Sequence, residues 1–141
     1  ETGHLVFGTL HTTNAQESIT RVIHMFRPEE ERILRILLAA NLKAVVSMRL
    51  LKRQGQEGRV PAVEVFVQTP RTQDLIKDPV RTSEITEAMA EGRRAYSSQT
   101  FDQSLDELYN QGHISLDEAL ANASDPDDFR LRASGISQHK H

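Results

Sequence analysis

Two histidines seven residues apart, His4 and His11, bracket an apolar run that ends in Thr12, Thr13 and Asn14. No other stretch gathers as many groups able to work on an anion. An imidazole at the end of a strand can donate a hydrogen bond to a terminal phosphate oxygen, or help to order an attacking water. Phosphoryl transfer depends mainly on positioning and charge stabilisation, so one well-placed donor counts. His11 is therefore the sharpest catalytic candidate, with capping of loop amides at a strand end as the structural alternative. Thr9, Thr12, Thr13 and Asn14 could bond to phosphate, to magnesium-bound water or to nearby backbone, and Asn14 is more economically a helix N-cap. Arg21 could reach a phosphate across a subunit boundary or pair with a local carboxylate. His4 lies about 23 Å from His11 if the run is one continuous strand, so the two cannot share a phosphate. Packing or a subunit contact suits His4 better. A lone pair of histidines at this spacing lacks a third ligand, so no metal site is expected.

These groups need elements to hold them. His4 to Leu10 reads as a parallel strand buried on both faces, with the polar cluster at its carboxyl end, where open α/β sheets bind ligands. Ala15, Ile19, Val22, Ile23 and Phe26 fall at helical spacing. Pro28 opens a second helix, with Glu29, Glu30 and Glu31 in its first turn and a stripe of Ile33, Leu34, Leu37, Leu38 and Leu42. Residues 44–51 and 60–67 are rich in β-formers and flank the polar segment 54–58, which predicts an antiparallel hairpin. In its second strand Val63, Val65 and Val67 alternate with Ala62, Glu64 and Phe66, so one face should be the more buried.

From Thr69-Pro70 onward the pattern is helical. Leu75 and Ile76 lie on a segment ended by Pro79, and Ile85, Ala88 and Met89 on one stopped near Gly92. Thr100 with Gln103 and Ser115 with Glu118 predict two capping boxes. Gly112 is a C-terminal stop, and Asp125-Pro126 starts a last short helix. Arg93 and Arg94 read as a solvated basic pair. The chain divides into a strand-rich part, 1–68, an all-helical part, 69–133, and a polar tail, 134–141.

Composition narrows the classes. A hydrophobic share of 38%, an aromatic share of 5% and the absence of tryptophan are low for a self-sufficient globule. A core completed by further sequence or by neighbouring subunits fits better. Net charge is −3, with 17 basic and 20 acidic residues, which disfavours nucleic acid. No cysteine is present to build disulfides. No apolar run approaches the ~20 residues of a membrane span. The chain opens inside a motif, at Glu1-Thr2-Gly3, without a signal peptide, so a cytoplasmic piece of a longer protein is expected. No Gly-x-x-x-x-Gly-Lys-Ser/Thr phosphate loop occurs in the 141 residues.

The opening motif resembles the histidine box of the secretion ATPase superfamily, which powers type IV pili, type II secretion and related systems, at Thr2, Gly3, His4, His11 and Thr12. Residues 58–65 (Gly-Arg-Val-Pro-Ala-Val-Glu-Val) and 99–105 (Gln-Thr-Phe-Asp-Gln-Ser-Leu) resemble its pilus-retraction branch, PilT and PilU. The likeness runs in unbroken order to about Gly135. It implies an α/β fold: the C-terminal part of a RecA-like P-loop ATPase core followed by an all-helical appendix. It further implies a hexameric ring at the cytoplasmic face of the bacterial inner membrane, acting on a pilus platform protein and using ATP with Mg2+. The missing half would supply the phosphate loop, the magnesium-holding acidic residues and an N-terminal domain, while His11 would sense or stabilise the terminal phosphate. Alone, the chain is expected neither to hold ATP tightly nor to hydrolyse it.

Two departures qualify the branch. The retraction family carries a short coupling motif after a Thr-Pro; here, at 69–78, Leu75 and Ile76 match it, but the positions before them differ from PilT and lean towards PilU or a divergent relative. Of the Asp-Arg pair common after the box, Thr20-Arg21 keeps only the arginine. The alternatives are a non-catalytic ring-assembly module of the same superfamily, or its secretion and pilus-assembly branch. Members of that branch typically carry a tetracysteine zinc insertion, which this cysteine-free chain lacks.

Overall fold

Asn14 has an extended backbone, and its side chain accepts the Glu17 amide at 2.8 Å, which starts helix α1 (Ala15–His24). The expected N-cap is therefore formed. The computed structural model describes residues 3–135; Thr2 of the expected histidine box and residues 136–141 of the expected tail lie outside them. Ala15, Ile19 and Ile23 are buried on one face of α1, while Phe26 lies beyond the helix end and is half exposed.

A 3-10 turn, Pro28–Glu30, leads into α2 (Glu31–Asn41), so the proline occupies the turn rather than the α-helix itself. The inward face of α2 differs from the expected stripe. Arg35 and Ala39 are buried, Leu34, Leu38 and Leu42 are partly so, and Ile33 and Leu37 are exposed. The cause is Arg35. Its Nη1 donates to the Ile76 carbonyl at 2.9 Å and the Thr82 hydroxyl at 3.0 Å, and its Nε to Glu31 at 2.8 Å. A guanidinium satisfied in this way can enter the interior, and it rotates the apolar residues beside it outward.

Strands β1 (Ala44–Lys52) and β2 (Arg59–Val67) form the expected antiparallel hairpin, in register from Ala44↔Val67 to Lys52↔Arg59. The more buried face of β2 carries Ala62, Glu64 and Phe66. On β1 the opposite face exposes Val46, Met48 and Leu50. On the outer edge of β2, Val65 makes an isolated antiparallel bridge with Gln99.

The expected strand from His4 to Leu10 is not formed. The segment carries no helix or strand, and Leu5, Val6 and Phe7 are 70%, 80% and 90% exposed. The only sheet among the described residues is the hairpin. An extended segment acquires strand character through a ladder with a neighbour, and apolar composition alone does not supply one.

Helix α3 (Pro70–Lys77) is capped by Thr69 and Thr72 and ends at Asp78, ahead of Pro79. After a 3-10 turn, Arg81–Glu84, α4 (Ile85–Glu91) ends at Gly92, and the short α5 (Arg93–Tyr96) follows. Gly92 caps the end of α4, as expected, and a Cβ there would lie 3.1 Å from the Ala88 carbonyl oxygen. The reversal comes at Ser97, at φ 59°.

Helix α6 (Phe101–Asn110) has the full Thr100–Gln103 capping box, and Gly112 turns the chain at φ 74°. Ser115 caps α7 (Leu116–Asn122), but the Glu118 carboxylate accepts the Lys52 amide at 2.9 Å. The second box is half made because its acid ties α7 to the end of β1. Asp125 caps α8 (Pro126–Ala133).

The hairpin's inner face serves two cores. Around Phe66 gather residues of α1 to α4, including Ile19, Leu75, Ile76 and Met89. Around Leu51 and Ala62 gather Phe101, Leu105, Ile114, Ala119 and Phe129. Between the two lie the buried polar residues Ser47 and Glu64.

Candidate functional site

His11 stands at the end of the extended segment and is exposed, and α1 fixes its backbone. Arg21 Nη1 donates to the His11 carbonyl at 2.5 Å, and Nη2 donates to Glu17 Oε1 at 2.9 Å. Glu17 Oε2 accepts the Thr13 amide at 2.8 Å and its hydroxyl at 2.6 Å. Those two bonds, the hydroxyl first, hold the Glu17 carboxyl below the usual range, and Arg21 adds to them. Arg21 thus takes the local pairing that its surface position favours. Thr12 shares a 2.5 Å hydrogen bond with the Ser18 hydroxyl.

The structure therefore brings His11, Thr12 and Arg21 together around the first turns of α1. Thr9 and Thr12 line a cleft of about 490 Å³ between the extended segment, α1, α2 and β1. Gly3, at φ 74°, and exposed His4 sit at the other end of the segment.

The cleft does not suit a polyphosphate. Its wall includes Leu10, Ile19, Val22 and Val45 and carries no lysine or arginine. Nearby, Arg21 is already occupied by Glu17 and the His11 carbonyl. Among the described residues no three His, Cys, Asp or Glu side chains gather to hold a metal ion. What the extended segment presents is an exposed imidazole on an anchored backbone.

Glu64 escaped the sequence reading. It is 4% exposed on the inner face of β2, and its Oε1 accepts the Ala15 amide at 2.6 Å. The backbone amide of Phe101 also favours its charged form. One carboxylate therefore binds the first residue of α1 and feels the amide at the first residue of α6. Burial pushes its carboxyl above the usual range, against the pull of those two amides and the charge of Arg49.

Arg49 lies on the neighbouring strand. It donates to the Asn122 carbonyl at 3.0 Å and the Thr13 carbonyl at 3.4 Å, and its guanidinium sits 4.0 Å from the Phe101 ring centroid. The signal available was an acid within the alternation Ala62, Glu64, Phe66, on the face that the pattern marks as one of two candidates for burial.

Residues 1–139 match the type II/IV secretion system protein family. The chain is 39% identical over 133 residues to the type IV pilus ATPase PilU of Pseudomonas aeruginosa, covering 93% of this chain and 34% of the relative. It is 40% identical over 129 residues to the type IV pilus retraction ATPase PilT of the same organism, covering 92% and 37%. The chain thus spans about a third of the length of the curated relatives it matches. Among solved structures it overlays the pilus retraction motor PilT with bound ADP at a TM-score of 0.73 and 36% identity, covering 91% of this chain and 35% of that one. The ATPase DotB of Legionella pneumophila overlays at 0.61 with 21% identity over 89% and 30%, a likeness of fold alone. The hairpin, the helices that follow it and the sequence match agree, and the chain belongs to the type II/IV secretion system protein family.

Proposed function

We propose that the chain is the C-terminal part of a hexameric ATPase motor that powers type IV pilus retraction from the cytoplasmic face of the inner membrane, acting on a pilus platform protein. In this reading residues 1–68 complete a RecA-like core and residues 69–133 form its helical subdomain. The observation that supports it best is the likeness to PilT and PilU over almost the whole chain. ATP bound with Mg2+ on the rest of the protein would supply the reactive phosphate and the metal charge. His11 donates towards the terminal phosphate oxygen or orders water there. The bonds from Arg21 and through Glu17 to Thr13 fix its backbone, so little ordering remains for the moment of reaction. Rotation between neighbouring subunits then converts closure of the site into force.

The test is ATP turnover and nucleotide affinity of the full-length protein with and without His11→Ala. Turnover is expected to fall about tenfold or more with affinity retained, a loss of at least ~1.4 kcal/mol in the transition state. Unchanged turnover in a folded ring would make His11 structural. The 141-residue chain alone should show no magnesium-ATP hydrolysis, because no phosphate loop lies within it.

A further inference from the structure

We infer that Glu64 and Arg49 form a positioning pair that couples the helices after residue 100 to the short segment following His11. The inference rests on the proposed function only in what the coupling is for. The coupling itself is read from contacts. From inside the molecule Glu64 grips the backbone at Ala15, four residues after His11, and the Phe101 amide at the start of α6 favours its charge. Arg49 grips the Thr13 carbonyl, two residues after His11, together with the Asn122 carbonyl at the end of α7 and the face of the Phe101 ring. Arg49 therefore has contacts on the His11 side and on the far helices, beside a buried Glu64 that holds the His11 side.

The surroundings leave little slack. Glu64 lies between the two hydrophobic cores, where no other acidic side chain is buried among the described residues. A carboxylate at this depth needs favourable neighbours, so displacing Phe101 withdraws both its amide from Glu64 and its ring from Arg49. The cheapest response is for the Ala15 end to move with it. Neither residue is placed on the nucleotide. Each acts through the backbone that holds His11, and a shift of about 1 Å in such a group suffices to alter turnover.

The experiment is a coupling cycle in the full-length protein, read first by amide hydrogen exchange. Thr100→Ala removes the N-cap of α6 and should speed exchange in the peptide spanning residues 13–18 about threefold in the wild-type background. With Glu64→Gln already present the same change should do less than about half of that, because the link is broken. Arg49→Lys, which keeps the charge and loses the fork, is the second background should Glu64→Gln fail to fold. Equal effects of Thr100→Ala in both backgrounds overturn the inference.

Turnover gives the second reading. Glu64→Gln should lower kcat about fivefold with KM for ATP within about twofold, and should change kcat by less than about twofold once His11→Ala is present. Additive losses in kcat would overturn the role assigned to the pair. A wild-type protein without turnover overturns the ATPase reading alone, and the exchange cycle still decides the coupling.

Discussion

The residues just after His11 are held by two acid–arginine arrangements that differ in every physical respect except their target. Outside, Glu17 and Arg21 lie four residues apart on one helix and grip Thr13 and the His11 carbonyl at the surface. On the other side, Glu64 and Arg49 come from adjacent strands; Glu64 grips Ala15 from the interior, and Arg49 reaches the Thr13 carbonyl. Solvent holds the outer acid's cost of ionisation low, so its hydrogen bonds pull its pKa down. Burial dominates for the inner acid and pushes its pKa up despite two amide donors. A surface clamp is local and screened; an interior one carries displacement between distant parts of the chain.

Substitutions can break that contrast. The largest effect expected is from Glu64→Ala, which strands the buried Ala15 amide and leaves Arg49 without its neighbouring acid. Urea unfolding of the full-length protein should show a loss of about 3 kcal/mol. Arg49→Lys comes next, at about 1–2 kcal/mol, from the lost stack on Phe101 and the lost fork to two carbonyls. Glu17→Gln should have the smallest effect on the same urea midpoint, and that effect should vanish in about 1 M salt, whereas the Glu64 variants should keep theirs.

The pH dependence sharpens the comparison, because the two acids work in opposite directions. Glu17 has a depressed folded pKa, so its contribution is present above the ordinary value of 4.5 and is lost as pH falls through the folded value. Glu64 has a raised folded pKa, so its contribution is complete below 4.5 and is lost as pH rises through the folded value. Relative to wild type, Glu64→Gln should therefore gain stability as the pH is raised above 4.5. Glu17→Gln should gain as it is lowered below 4.5. Unfolding midpoints measured across that range check both, and parallel profiles would count against the assignment of burial to one and exposure to the other.

Local rules carried the reading where partners are near in sequence. Asn14, Thr100 and Asp125 cap helices because each needs an amide two or three residues on, and the hairpin follows from β-formers around a polar turn. Distance in sequence defeated it elsewhere. Arg35 turns α2 because Ile76 and Thr82 wait 41 and 47 residues downstream. The Glu64 partner Ala15 lies 49 residues upstream, and it is a backbone amide, which has no compositional signature at all. The segment 4–10 has the composition of a buried strand, but composition cannot report whether a ladder partner is at hand. Of the candidate site, the residue types and the Asn14 cap were legible; the two-sided grip was not.

The bridge at Gln99 has a consequence for how this sheet can grow. Gln99 exchanges both main-chain hydrogen bonds with Val65 at 2.8 Å, and its side chain donates to the Val63 carbonyl at 2.7 Å. The outer flank of β2 is thereby terminated, much as a capped monomer ends a polymer. Addition is vectorial: any further strand, from whatever source, must join at β1, beside exposed Val46, Met48 and Leu50.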